Sequence, residues 1–426
     1  MSKTRAPNEP RDSTIADAAD ASGLAHLAAV SYLGSRLAPT GGYWVALAGG
    51  VAVARAAARH GLRVGFGASM AGLVQSVAIM GPARLSIPLT QAVSAPLVGA
   101  LESRRAPLIT QIAVAALVRM ALAVLATAFF IWIILGGLDA YAGAYEWMTN
   151  LLGWLPEGEA GALVLSAVTL LAWTLVASPI QVLVYRRGMR RWPSDTAPAP
   201  DATPVPAGER ARRALDPRAV TLAAAIASAL LLSSSDWPLL AAVVAWLALA
   251  WAVARPERDF VPVGAAIALV LAVSAFVVGL LADLGLFVSL ERAVRAALLV
   301  AVATWFRAAA GTGGIREVAR RVLGRLRRVL PGAREASRML GDLGSGAVLL
   351  PAGRALLDEL REVRHRPRPL LDAVLGWVVE ESRGFRPAAA SASPRLGLRP
   401  LDIALVALST APLAALVTGV AGLGSA

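Results

Sequence analysis

The chain has 426 residues, 57 % of them hydrophobic, against about 45–50 % for an average soluble chain, and this excess excludes an ordinary soluble globule. The excess arrives in segments of about 15 to 30 residues, the length that crosses a bilayer. The formal net charge of +13 sits mostly between those segments, where anionic lipid explains it better than nucleic acid does; with no cysteines, disulfides and thiolate chemistry are excluded.

Residues 1–21 are polar, mixed in charge and without the apolar core of a signal peptide, and read as a disordered cytoplasmic tail. Residues 22–191 read as a six-span membrane domain. Its first span, 24–37, is weak and interrupted by Arg36. The second, 43–58, is rich in small residues and ends among Arg55, Arg59, His60 and Arg63. The third, 64–80, holds Gly65, Gly67 and Gly72, which suit close helix packing. The fourth, 85–101, is interrupted by Pro88 and Pro96 and closes on Glu102-Ser103-Arg104-Arg105. The fifth, 108–135, is long enough to cross with tilt. An outer loop at 139–159 carries the aromatic cluster Tyr141, Tyr145, Trp147 and Trp154, and the sixth span, 162–185, runs into Arg186-Arg187-Gly188-Met189-Arg190-Arg191. Basic clusters thus fall at every second loop, which puts both ends of this domain in the cytoplasm.

Residues 192–218 are Pro- and Ala-rich without an apolar run, a cytoplasmic linker and a domain boundary. Residues 219–310 supply four more spans (220–232, 237–254, 261–281 and 290–310), and 400–426 the last. The expected fold is an all-α polytopic helical membrane protein of about 11 transmembrane helices. The two halves do not look alike, which argues against a duplicated architecture.

Between them lies a basic block, 311–399, with seventeen Arg, nine Asp plus Glu and no Lys. Each central Arg costs at least about 2.5 kcal/mol in hydrocarbon, so the block is expected to project into the cytoplasm. Ile315, Val318, Val322, Leu326 and Val329 recur at helical spacing among Arg316, Arg320, Arg321, Arg325, Arg327 and Arg328, up to a break at Pro331-Gly332. A second amphipathic helix is predicted over 349–363, with Leu356, Leu357 and Leu360 apolar. A third covers 370–381, carries Leu371, Val374, Leu375 and Val378, and ends at Ser382-Arg383-Gly384-Phe385. Such helices either pack at a lipid interface or dock a soluble partner.

The order Leu215-Asp216-Pro217-Arg218, apolar run, Ser-rich turn, apolar run resembles the start of the transmembrane T component of energy-coupling-factor (ECF) transporters, a family of ABC importers. In that family a later cytoplasmic insertion holds coupling helices, and two of them carry an Ala-Arg-Gly-like motif that docks an ATPase. Ser382-Arg383-Gly384 is similar to the second motif, with Ser for Ala, and Arg366 in His365-Arg366-Pro367 is the nearest match to the first. The spacing is shorter than the family's. The resemblance covers about 210–420; residues 22–191 resemble an ECF substrate-binding S component in size, span count and composition. It implies separate ABC-type ATPase subunits as partners, a small-molecule substrate, and uptake of a vitamin, metal ion or other micronutrient across the cell's inner membrane. A secondary transporter without an ATPase, and a membrane scaffold binding a cytoplasmic protein, are the alternatives.

Arg119 lies well inside the fifth span, where a charge is a functional candidate or a snorkelling side chain. Gln75, Thr90, Gln91 and Gln111 are polar positions of first-half spans that could line a substrate cavity or bond neighbouring helices. Gly311-Thr312-Gly313-Gly314 lacks the Lys and spacing of a phosphate loop, and His26, His60 and His365 lack metal-ligand spacing. No catalytic grouping, cofactor or metal is expected.

Overall fold

The structure, a computed structural model, describes residues 10–37, 42–82, 88–135, 137–192, 215–234, 236–254, 261–343, 346–363, 366–385 and 397–411. Among the described residues every regular element is helical. In the first half these are α1 (Pro10–Leu37), α2 (Gly42–His60), α3 (Leu62–Met80), α4 (Leu89–Ser103), α5 (Leu108–Phe129, continued by a π-helical turn, Phe130–Leu135), α6 (Leu138–Leu151) and α7 (Gly158–Arg191). After the linker come α8 (Pro217–Ser233), α9 (Trp237–Ala254), α10 (Val261–Leu281), α11 (Gly285–Leu326), α12 (Ala333–Asp342), α13 (Gly346–Glu359), α14 (Pro367–Gly384) and α15 (Pro400–Ser409).

Among the described residues five helices are long and apolar enough to cross a membrane: α3, α5, α7, α9 and α10. Two of them also expose what water would not tolerate. On α5 Ile109 is 80 % exposed and on α10 Leu269 is 66 % exposed, each within a band of exposed Leu and Val. A band of that kind fits hydrocarbon contact rather than solvent. Helices α8 and α15 are apolar but shorter, and residues 412–426 of the expected last span lie outside the described residues.

The buried side chains form two main cores, and their division does not follow the linker. One core joins α8, α9, the first part of α11 and α15, with Trp246 and Trp305 edge to face at 5.2 Å. The other joins α1, α2, α3, α4 and α7 to α12, α13 and α14. Residues 21–34 of α1 are buried without a break, because α2 and α3 cover one side and α12–α14 the other.

The boundary between the cores is the glycine at the start of the basic block. Gly311 has φ 63° and ψ 162°, a conformation open to glycine and costly for any residue with a Cβ, and α11 kinks there. Arg307 bonds across the kink to Thr312 Oγ1 (2.7 Å) and donates to the carbonyl of Ile79 at the end of α3 (3.0 Å), tying the two cores together.

Several expectations are corrected. The tail was expected to be unstructured to residue 21, yet α1 begins at Pro10; Pro at the first helical turn and the Ala-rich stretch behind it favour helix. The outer loop at 139–159 is largely helix α6, held to α7 by a hydrogen bond between Tyr141 and Ser166, while within α6 the tilted rings of Tyr141 and Tyr145 meet at 4.8 Å. The helices of the basic block pack their apolar sides inward. Leu340, Leu356, Leu360, Leu370, Val374, Leu375 and Val378 lie in the same core as α1 and α2. The block also holds a helix the periodicity did not reveal, α12, which packs its Ala336 side against Gly67 of α3.

Candidate functional site

Two places bring predicted residues together. The first is α14, where Arg366 and Ser382-Arg383-Gly384 belong to one helix rather than two. Arg366 is the exposed N-cap, and Arg383 and Gly384 are in the last turn, about 25 Å away at roughly 1.5 Å per residue. The side chain of Arg383, and His365 altogether, lie outside the described residues. Ser382 donates its hydroxyl to the carbonyl of Val379 at 2.6 Å, a local bond within the helix end. The next residue, Phe385, turns inward: it is buried, its ring lies 5.2 Å from that of His26, and it meets Gly23 of α1.

Further along, α14 is tied to α7 at Asp372, and ion pairs and hydrogen bonds hold the helices around it. Asp372 receives Arg191 at 2.7 Å and Arg187 at 3.3 Å, so the basic end of α7 is a clamp on this helix. At the α1 end Asp20 pairs with His60 of α2 at 2.8 Å, and Ser22 donates to Asp342 of α12 at 2.7 Å. Arg316 reaches the carbonyls of Leu340 and Leu343 at 2.6 Å each and so closes the C-terminus of α12, where a cation opposes the negative end of the helix dipole. Glu317 holds Arg320 and Arg321 at 3.0 and 2.7 Å. Burial pushes the Glu317 carboxyl up, but the hydrogen bonds and charges of those two guanidinium groups outweigh it and leave it below its ordinary value.

The Leu-Asp-Pro-Arg stretch has a local structural job. The Asp216 carboxylate caps α8 by accepting from the backbone N–H of Arg218 at 2.8 Å, with Pro217 at the first helical position. The backbone N–H of Asp216 in turn donates to buried Asp402 of α15 at 2.7 Å, which also accepts from the N–H of Arg399 at 2.8 Å. Burial raises the Asp216 carboxyl, and the hydrogen bonds and charge of Arg218 more than reverse it.

The second place is Arg119. It is 5 % exposed, near the middle of the span Leu108–Trp132. Its Nη2 donates to Gln181 Oε1 at 2.6 Å, and its guanidinium stands 5.9 Å over the ring of Trp173. Arginine is only a donor, so the amide oxygen of Gln181 must face it and the amide nitrogen must face away. That nitrogen donates to Ser94 Oγ at 2.5 Å and to Tyr185 Oη at 3.0 Å, and the Ser94 hydroxyl donates to the carbonyl of Thr90 at 2.5 Å. Tyr185 can reach this position because α2 has no side chain at Gly50, where a Cβ would lie 2.7 Å from Tyr185 Cε1.

Of the other candidates, Thr90 is half-buried and joins this network only through its backbone carbonyl. Gln111 belongs elsewhere: it staples the α4–α5 turn through Glu102 (2.7 Å) and the carbonyl of Ala106 (3.1 Å), beside the Arg186–Glu102 pair at 3.0 Å. Gln75 of α3 and Gln91 of α4 are buried within the helix packing. Sequence reading missed Ser94, Gln181 and Tyr185. Gln181 sits in an apolar run just before six residues of basic loop, and its polarity reads there as the end of a span.

Compared with protein-family models, curated proteins and solved structures, the chain matches none.

Proposed function

We propose that the chain is the membrane subunit of an ECF-type ABC importer, embedded in the cell's inner membrane with residues 192–218 and 311–399 on the cytoplasmic side. Separate ABC-type ATPase subunits would hydrolyse ATP, and the chain would pass their motion to a substrate-handling first half for uptake of a vitamin, metal ion or other micronutrient. The full count of about eleven spans belongs to this reading.

The observation that carries it is mechanical. The apolar sides of α12–α14 share a core with α1 and α2, while Arg354, Asp358, Glu359, Arg361, Arg368 and Glu380 remain exposed on their outer side. A close-packed core transmits displacement rather than absorbing it. A partner that pulls on the charged face therefore moves α1–α3, which is what coupling requires. The order of α8, Ser turn, α9 and a later amphipathic insertion supports the same reading. The placement of both Arg motifs on α14 departs from the family, so docking is assigned to the α14 end at Arg383 first and to Arg366 second.

The test is purification of the full chain from its native membrane with identification of bound subunits. An ABC-type ATPase is expected with the wild type. Arg383→Ala should abolish its retention without changing membrane insertion, and Arg383→Lys should restore it in part, since Lys keeps the charge but not the planar fork. Arg366→Ala should give a smaller loss. Full ATPase retention by Arg383→Ala would make Arg383 an ordinary helix-end residue.

A second reading, a secondary transporter without an ATPase, is favoured by one observation: a buried guanidinium in mid-span with a polar relay through Gln181 to Ser94 and Tyr185. Absence of any ATPase from the native complex, together with ion-dependent uptake lost in Arg119→Gln, would decide for it.

A further inference from the structure

One stretch of the basic block keeps its apolar residues outside. Along residues 321–331 Val322, Leu326, Val329 and Leu330 are exposed, Val329 by 76 %. Between them stand Arg325, Arg327 and Arg328, also exposed, and Arg334 and Arg338 follow on α12. Earlier arginines of the same helix are engaged: Arg316 closes α12, and Arg320 and Arg321 share Glu317. Among the described residues Arg325, Arg327, Arg328, Arg334 and Arg338 meet no carboxylate. Residues 318–341 carry no exposed Asp or Glu, Glu335 being half-buried.

Two contacts locate this stretch. Helix α11 kinks at Gly311, and about 15 Å further along it Arg321 is still near enough to Asp216 for its charge to act there. Burial raises the Asp216 carboxyl, the hydrogen bonds and charge of Arg218 reverse that, and the charge of Arg321 adds to the lowering. Asp216 caps apolar α8, where the chain enters the membrane after the linker. A helix continuing straight out of the bilayer would have carried Arg321 away from that point, so the segment after the kink runs along the membrane face. At its far end the turn is fixed against α3. Gly332 has φ 82°, and a Cβ there would lie 2.5 Å from the carbonyl oxygen of Arg63 and 2.6 Å from the nitrogen of Gly67. Val329 and Leu330 are thus held outward on a pinned turn, and Leu62 and Arg63, which open α3 beside it, are exposed too.

We propose that residues 321–331 rest on the cytoplasmic leaflet and bind its anionic phospholipids. Arg325, Arg327 and Arg328 meet headgroup phosphates, while Val322, Leu326, Val329 and Leu330 enter the boundary between headgroups and acyl chains. Cations with no carboxylate among them complement an anionic surface, and each one near it adds to binding. Exposed apolar side chains set between those cations gain from a lipid boundary what water denies them. The membrane part of α11 tethers the patch beside the leaflet, so lipid meets it at high effective concentration, ahead of any soluble partner. The proposal rests on the cytoplasmic placement of the basic block and not on an ATPase, whose docking is assigned to α14.

The test uses the full chain in nanodiscs of phosphatidylcholine, with and without phosphatidylglycerol. The chain has no cysteine, so Val329→Cys carries a single polarity-sensitive fluorophore. A lipid spin-labelled near its headgroup is the quencher. Blue-shifted emission and quenching are expected, both requiring phosphatidylglycerol and both fading as salt is raised. The same fluorophore at Arg361→Cys, exposed just after α13, should report water in either disc. In the Val329→Cys chain, Arg327→Gln with Arg328→Gln should raise the phosphatidylglycerol fraction needed for half-maximal quenching several-fold. An unshifted, unquenched label at position 329 in both discs would leave this face to a soluble partner and overturn the proposal. Quenching that is equal with and without phosphatidylglycerol, or that the double Gln variant leaves unchanged, would overturn it as well. All substituted side chains are exposed, so the core is untouched. ATPase retention enters neither readout, so the importer reading is tested separately.

Discussion

Single residues join the helix ends in this protein, and two of them give direct tests. Asp402 is buried and accepts two backbone N–H groups, its own helix's Arg399 and the Asp216 that opens α8. Asp402→Ala would leave the second of these buried and unmet, at about 1–3 kcal/mol, on top of about 1 kcal/mol for the lost cap. A fall in unfolding midpoint is therefore expected, with Asp402→Asn recovering part of it. Glu317 provides the pH test. Its folded-state pKa lies below the ordinary value of 4.5, so its pairing with Arg320 and Arg321 contributes stability above about that pH. That contribution is lost as pH falls through the depressed folded value. Unfolding followed from neutral to acidic pH should show a weaker acid dependence in Glu317→Gln than in the wild type.

At the scale of elements, Gly311 is the hinge between the two cores. Gly311→Ala forces a Cβ into a backbone conformation that costs about 1–3 kcal/mol, and the expected result is a lower unfolding midpoint with unchanged membrane insertion. Its position was legible in the sequence as the point where apolar spacing gives way to Arg, and the structure puts the kink there. Leu371, Val374, Leu375 and Val378 were equally legible as an apolar face, and the last three are buried against α1 and α2. What they pack against was not legible, because periodicity identifies a face and says nothing of its partner. Helix α12 escaped because its ten residues give fewer than three turns, and the Pro331-Gly332 before it signals a stop and not a new start. The Arg119 network was half visible: a charge in an apolar run stands out locally, whereas its partner Gln181 is 62 positions away and Ser94, which Gln181 bonds in turn, is 87 positions from Gln181.

For the whole molecule, the linker divides the sequence in one place and the packing divides the structure in another. Helices α12–α14 follow the linker in sequence yet lie on the helices that precede it. Two fragments made by cutting between residues 198 and 206 should therefore associate tightly when produced together. The association should depend on α12–α14, and a second fragment ending at residue 310 should lose it. The most direct measurement uses the natural absence of cysteine. A Cβ at Gly353 of α13 would stand 4.0 Å from the Cα of Gly34 of α1, so this pair of positions probes whether the two helices touch. The chain carrying Gly34→Cys, Gly353→Cys and a protease site in the linker is oxidised in membranes, cleaved and run without reductant. Docking of the arginine-rich helices on the first half predicts one covalently joined species that reductant separates into two. Two separate fragments before reduction, with each single-cysteine chain folded and inserted, would contradict it.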